Sequence, residues 1–164
     1  MSKPCDGRRA LCVEASALLW CMRVWVAGQP HAAEADWRIH EVLARLDARD
    51  AAPCFEEFMA TLSRGAMRRI VVRPVNGFPI SEDERLVLDV FGLAQDARSF
   101  EALLRLHGLL RPEDACAALR SAEGIGSALA RAGRFLLTPE VEACRFALAA
   151  EAAEAAQQAG FMLD

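Results

Sequence analysis

A thiol one residue past a proline that opens a helix is a candidate nucleophile, and Cys54 follows Pro53 in this way. The positive end of a helix stabilises a thiolate. Glu56 and Glu57 stand close by and push the other way, and no histidine is adjacent in sequence to act as its base. The expected role of Cys54 is therefore packing. A second cluster, Glu82-Asp83-Glu84, offers three carboxylates for a metal or for acid–base work. Its position after Ser81 gives it a simpler role. Ser81 with Glu84 three residues on is a capping box, and acids in a first helical turn favour the helix dipole.

The three histidines are His31, His40 and His107. No His-x-x-x-His or Glu-x-x-His pair occurs, and no Cys/His spacing fits a zinc site. His107 falls on an apolar helix face, where a core histidine is expected. Gly124-Ile125-Gly126 lacks the preceding strand and third glycine of a nucleotide-binding turn. It reads as a helix kink or a close helix contact. These readings leave no catalytic residue, no metal ligand and no cofactor site to nominate.

Arg64, Arg68, Arg69 and Arg73 form the densest basic patch, and they are the expected partner-binding residues. Guanidinium groups suit phosphate, acidic peptide or nucleic acid. No recognition helix or stacking platform accompanies them, and tyrosine is absent. An acidic protein partner is the expected one, and nucleic acid is not.

Helical periodicity dominates the elements that must position these residues. Helix one is expected from about Arg8 to Ala27, capped by Asp6 and stopped by Gly28 and Pro30. It is apolar nearly all round, so it is expected at the centre of the fold or in a dimer interface. Helix two covers about Ala32 to Asp47, and helix three runs from Pro53 to before Gly65. Helix four opens at Ser81 and is also expected at the centre. Helix five, to about Leu110, presents Phe100, Leu103, Leu104 and His107 on its inward face. Helix six begins at Pro112, with a break near Gly124 and Gly126. Helix seven runs from Thr138 to Gly160. Between helices three and four, Ile70-Val71-Val72 is β-branched and precedes Pro74, Asn76-Gly77 and Pro79. That stretch reads as one short extended segment near residues 68-73, with its β-branched residues buried.

The order Trp25-x-x-Gly28, Phe55-x-x-Phe58-Met59, Ser81-x-Asp83-Glu84-x-x-Val87-Leu88 and Ala132-Gly133 before Leu136 resembles that of small uncharacterised helical proteins of high-GC bacteria. The resemblance implies an all-helical fold and carries no activity with it.

Length and composition set the remaining bounds. A chain of 164 residues with 54% hydrophobic residues is expected to form one all-α domain, 1–164, a bundle of about seven helices. Its net charge of −4 gives no general attraction to nucleic acid or to an anionic membrane. Glu14 and Arg23 interrupt the apolar stretch from Ala10 to Ala27, so neither a secretory leader nor a membrane span is expected there. Six cysteines without C-x-x-C spacing, most of them set in apolar helical patterns, suggest reduced thiols in the cytoplasm. The functional expectation is a non-enzymatic interaction or regulatory protein, a homodimer through helix one. The alternative is a helical small-molecule sensor or carrier with an apolar pocket lined by Trp, Phe and Met.

Overall fold

Six helices follow one another in the computed structural model, which describes residues 11–29, 32–136, 150, 151 and 153–155. They are α1 (Val13–Ala27), α2 (Ala32–Arg45), α3 (Ala51–Gly65), α4 (Glu82–Gln95), α5 (Ser99–His107) and α6 (Pro112–Arg131). The chain is an all-α bundle, and one cluster of buried side chains draws on all six. Of the expected seventh helix, residues 150, 151 and 153–155 are helical and exposed. The rest of it lies outside the described residues, as do Arg8 and Asp6, and helix one does not run through from Arg8 as expected, because Cys12 is extended at ψ 163° and the helix starts at Val13.

Local chemistry explains most of the boundaries. Pro53 is the third residue of α3 rather than its first, because the turn from Ala48 hands directly into the helix at Ala51. Proline remains acceptable there, since the first four amides of a helix have no acceptor within it. Three helices end in the same double hydrogen bond around a left-handed residue. After α6 that residue is Gly133, at φ 70°, with Arg134 N–H donating to Leu129 O. After α2 it is Asp47 and after α4 it is Ala97, at φ 59° and 58°.

The centre of the bundle is α6 rather than α1. α6 packs against α3, α4 and α5, and its contact with α3 is the most extensive in the molecule. Its glycines permit this. A Cβ on Gly126 would lie 2.8 Å from the Gln95 backbone, and one on Gly124 would lie 2.5 Å from Cys54 Sγ. α6 therefore runs unbroken through both glycines, and the expected break does not occur. α4 is central as expected, with Phe91 fully buried against Phe55 and Phe58 of α3. α1 sits at the flank, packed mainly on α2, and its Val13 and Val26 are exposed.

Helix α5 is rotated from its expected orientation, and of the expected face Leu103 packs half-buried on the core. Ala102 and Leu106 are buried, whereas Phe100 is 72% and Leu104 57% exposed, and His107 is exposed with them. α5 has to pack on both α4 and α6. The small side chain of Ala102 at the inner position lets the backbones approach, which the bulkier stripe would prevent.

The expected strand near residues 68-73 is an extended segment without a ladder. Among the described residues there is no strand, only an isolated bridge between Ala66 and Leu110. Ile70 and Val72 are half-buried, and Ile70 packs on the core. Val71 is 44% exposed, so the run is not buried as a whole. Alternation along an extended chain puts the middle residue on the outer face.

Candidate functional site

The extended segment needs hydrogen-bond partners, and with no neighbouring strand it takes them from the first turn of α4. Val71 N–H donates to Asp83 Oδ2 at 2.7 Å, and Arg73 N–H donates to Glu84 Oε1 at 2.9 Å. Ser81 Oγ donates to Val71 O and accepts from Glu84 N–H. The capping box is complete, because Glu84 also accepts from Ser81 N–H at 2.8 Å. Capping is thus only part of what Glu82-Asp83-Glu84 does. Two of its three carboxylates hold the preceding loop in place.

Arg23 completes the arrangement. It lies buried inside the apolar face of α1 and forms a two-point ion pair with Glu84, at 2.7 and 3.0 Å. Its remaining nitrogen donates to Gly77 O at 2.7 Å and to Val75 O at 3.4 Å. Burial by itself raises the Glu84 pKa. The Arg23 guanidinium and the amides of Ser81 and Arg73 outweigh it and bring the carboxyl below its ordinary value. Asp83 is lowered as well, first by Arg68 and then, against burial, by the Val71 amide. One arginine from α1 and two acids from α4 thereby fasten a loop that belongs to neither helix.

The four arginines expected to act together are divided by these contacts. Arg68 is held by Asp83 in a bidentate pair at 2.6 and 3.1 Å, and it also donates to Arg69 O. Arg64 lies 3.6 Å from Glu57 and within reach of Thr61. The side chains of Arg69 and Arg73 are exposed, and among the described residues they make no hydrogen bond or ion pair. The basic patch therefore reduces to Arg69 and Arg73, with the exposed Val71 between them.

The other candidates have structural surroundings. Cys54 lies half-buried against Gly124. His40 pairs with Glu56 at 2.7 Å, and His31 lies outside the described residues. Among the described residues no group of three or more His, Cys, Asp or Glu could hold a metal ion. Nor is any helix among them long and apolar enough to cross a membrane. An open cavity of about 210 Å³ lies where α1 ends beside α2, lined by Val24, Ala27, Glu34, Ala35, Arg38 and Val75. Its lining is not the expected set of Trp, Phe and Met. Comparison of the chain with protein-family profiles, with curated proteins and with solved structures finds no match.

Sequence reasoning missed Arg23. The available signal was a lone arginine within the apolar stripe of helix one, since a buried cation needs a partner. Nothing local names Glu84, 61 residues away, as that partner.

Two measurements check this description. Ser81→Ala removes a cap and a loop contact together, so it is expected to destabilise the fold by about 0.5–2 kcal/mol. Its denaturation midpoint is compared with that of the parent. Thiol labelling is expected to separate the cysteines. Cys116 is exposed on α6 and is expected to label fast in the native state, an exception to the expectation that most thiols resist labelling. Cys21 is buried, and burial pushes its thiol up to about 12, so it labels only on unfolding.

Proposed function

We propose that this is a non-enzymatic interaction protein that receives an acidic partner on the loop between α3 and α4. One observation carries the reading: Arg69 and Arg73 stand unpaired on a segment whose backbone is fastened from beneath by Asp83, Glu84 and Arg23. A held backbone lowers the entropy lost on binding. Asp83 and Glu84 beneath it are already paired with Arg68 and Arg23, so neither is left to pair with the Arg69 and Arg73 side chains.

The test uses a fluorescein-labelled glutamate-rich peptide, with binding read by anisotropy. Arg69→Glu with Arg73→Glu is expected to abolish binding while leaving helical circular dichroism and the melting temperature unchanged. Arg68 is left alone, because its replacement would break the pair with Asp83. Binding is also expected to weaken with salt, since exposed charges are screened within about 8–10 Å at physiological ionic strength. Unaltered binding by the double variant would overturn the reading.

Three further expectations belong with this proposal. Cys12, Cys21, Cys54 and Cys116 carry free thiols, which supports a cytoplasmic location. Self-association stays part of the reading, though on different residues. Most of the apolar stripe of α1 packs within the bundle, and Phe100 and Leu104 of α5 are among the large apolar residues left outward, with Val13, Val26, Trp37 and Phe135. Sedimentation at tens of micromolar, on the order used for weak two-fold dimers, decides between dimer and monomer. For the carrier alternative, the cavity beside Val75 among the described residues is below the roughly 300–1,000 Å³ of usual ligand sites.

A further inference from the structure

The direction of the bonds along residues 69–73 leaves one edge of the segment open. Arg69 O, both polar groups of Val71, and Arg73 N–H are all bonded to the Arg68–Asp83 pair or the first turn of α4. Successive residues of an extended chain point their N–H and C=O groups to opposite sides. Ile70 and Val72 therefore point theirs away from α4. Among the described residues, none of those four groups has a hydrogen-bond partner. The segment behaves as an edge strand, with one side satisfied by side chains and the other unpaired. Pro74, which has no N–H, ends the usable edge.

We propose that an extended acidic peptide segment of a partner protein adds to this edge as an antiparallel strand, through Ile70 and Val72. The inference rests on the acidic-partner reading above and gives it a geometry. Two residues of the incoming segment exchange bonds with Ile70 and Val72. The residues flanking and separating them lie opposite Arg69, Val71 and Arg73, on the same face. Charge and apolar complementarity then specify a five-residue pattern: acidic, any, apolar, any, acidic. A second copy of this segment does not fit. Pairing Ile70 with Val72 of another copy would set Arg69 against Arg73, and like charges directly opposite are destabilising.

The experiment titrates the full chain with two labelled peptides of one composition. One carries Glu-Thr-Val-Thr-Glu, and the other carries the same residues with the two glutamates adjacent. The patterned peptide is expected to bind at least tenfold more tightly. N-methylation at its two threonines, whose amides bond the edge, is expected to lower its affinity at least tenfold. N-methylation at the valine, whose amide points away, is expected to leave affinity within about twofold. Equal binding of the two peptides, or full tolerance of N-methylation at the threonines, overturns strand addition. If the Arg69→Glu, Arg73→Glu variant still loses both peptides in that case, the acidic-partner reading survives alone. Failure of both peptides and of the glutamate-rich peptide to bind overturns the two together.

Discussion

Replacing Glu84 by alanine is expected to destabilise the fold by about 3–5 kcal/mol, the usual cost of leaving one member of a buried ion pair without the other. A small domain has only about 5–15 kcal/mol in total, so the variant should be close to unfolding at physiological temperature. The size of the effect comes from how much Glu84 holds. It is 1% exposed and accepts four hydrogen bonds, two from Arg23 and one each from the amides of Ser81 and Arg73. Its loss strands a buried guanidinium in α1, opens the capping box and frees the loop at Arg73. Arg23→Met should also destabilise strongly, because the carboxylate is then the uncompensated charge. The double variant should lose less than the sum of the two, and the double-mutant cycle measures their coupling. Chemical denaturation supplies all four midpoints. A Glu84→Ala loss below about 1 kcal/mol, the scale of exposed pairs, would show that water reaches the site.

The same contacts set a pH dependence of definite sign. Asp83 and Glu84 both titrate below their ordinary values in the folded chain. Their contribution is therefore fully present above the unfolded carboxylate range, about pH 4. It is lost as pH falls through the lower folded values. The Glu84→Ala variant should show a shallower fall in stability below that range than the parent.

The second large effect is expected at Phe91. Its ring is fully buried, with its centroid 4.7 Å from that of Phe58 and 6.4 Å from that of Phe55. Phe91→Ala removes most of the side chain from the junction of α3 and α4 and leaves a cavity that the rigid helices cannot close. Losses for this substitution in a core run about 3–5 kcal/mol. Phe100→Ser supplies the contrast. Phe100 is 72% exposed, so its replacement should change stability by no more than about 0.5 kcal/mol. Thermal and denaturant unfolding of the two variants side by side check both values. A large loss at Phe100 would mean that its ring is covered in the molecule in solution.

Several features were legible in the residues because their causes are local. Ser81 and Glu84 are three positions apart, so the capping box could be read directly and is present. Phe55, Phe58, Met59 and Leu62 recur at helical spacing, and all four are buried. Gly133 marks the end of α6 because glycine adopts a left-handed turn without penalty. The ends of α2 and α4 use the same turn with Asp47 and Ala97. A left-handed alanine costs roughly 1–2 kcal/mol, so neither residue announces a stop. Only surrounding packing can impose it.

Tertiary structure alone decided the rest. The hydrophobic pattern of α5 named its most apolar face as the inner one, yet the fully buried residues are Ala102 and Leu106, and of the expected face Leu103 is half-buried on the core. How closely α5 can approach α4 and α6 depends on shape across three helices, which a single-helix pattern does not contain. By itself the sequence determined that four arginines cluster around one extended segment. It could not show that Arg68 is held by Asp83, or that Arg23 is tied to Glu84 from 61 positions away. Charges attract through space whatever their separation along the chain. Which arginine side chains remain unpaired among the described residues was therefore settled by where the helices brought the carboxylates.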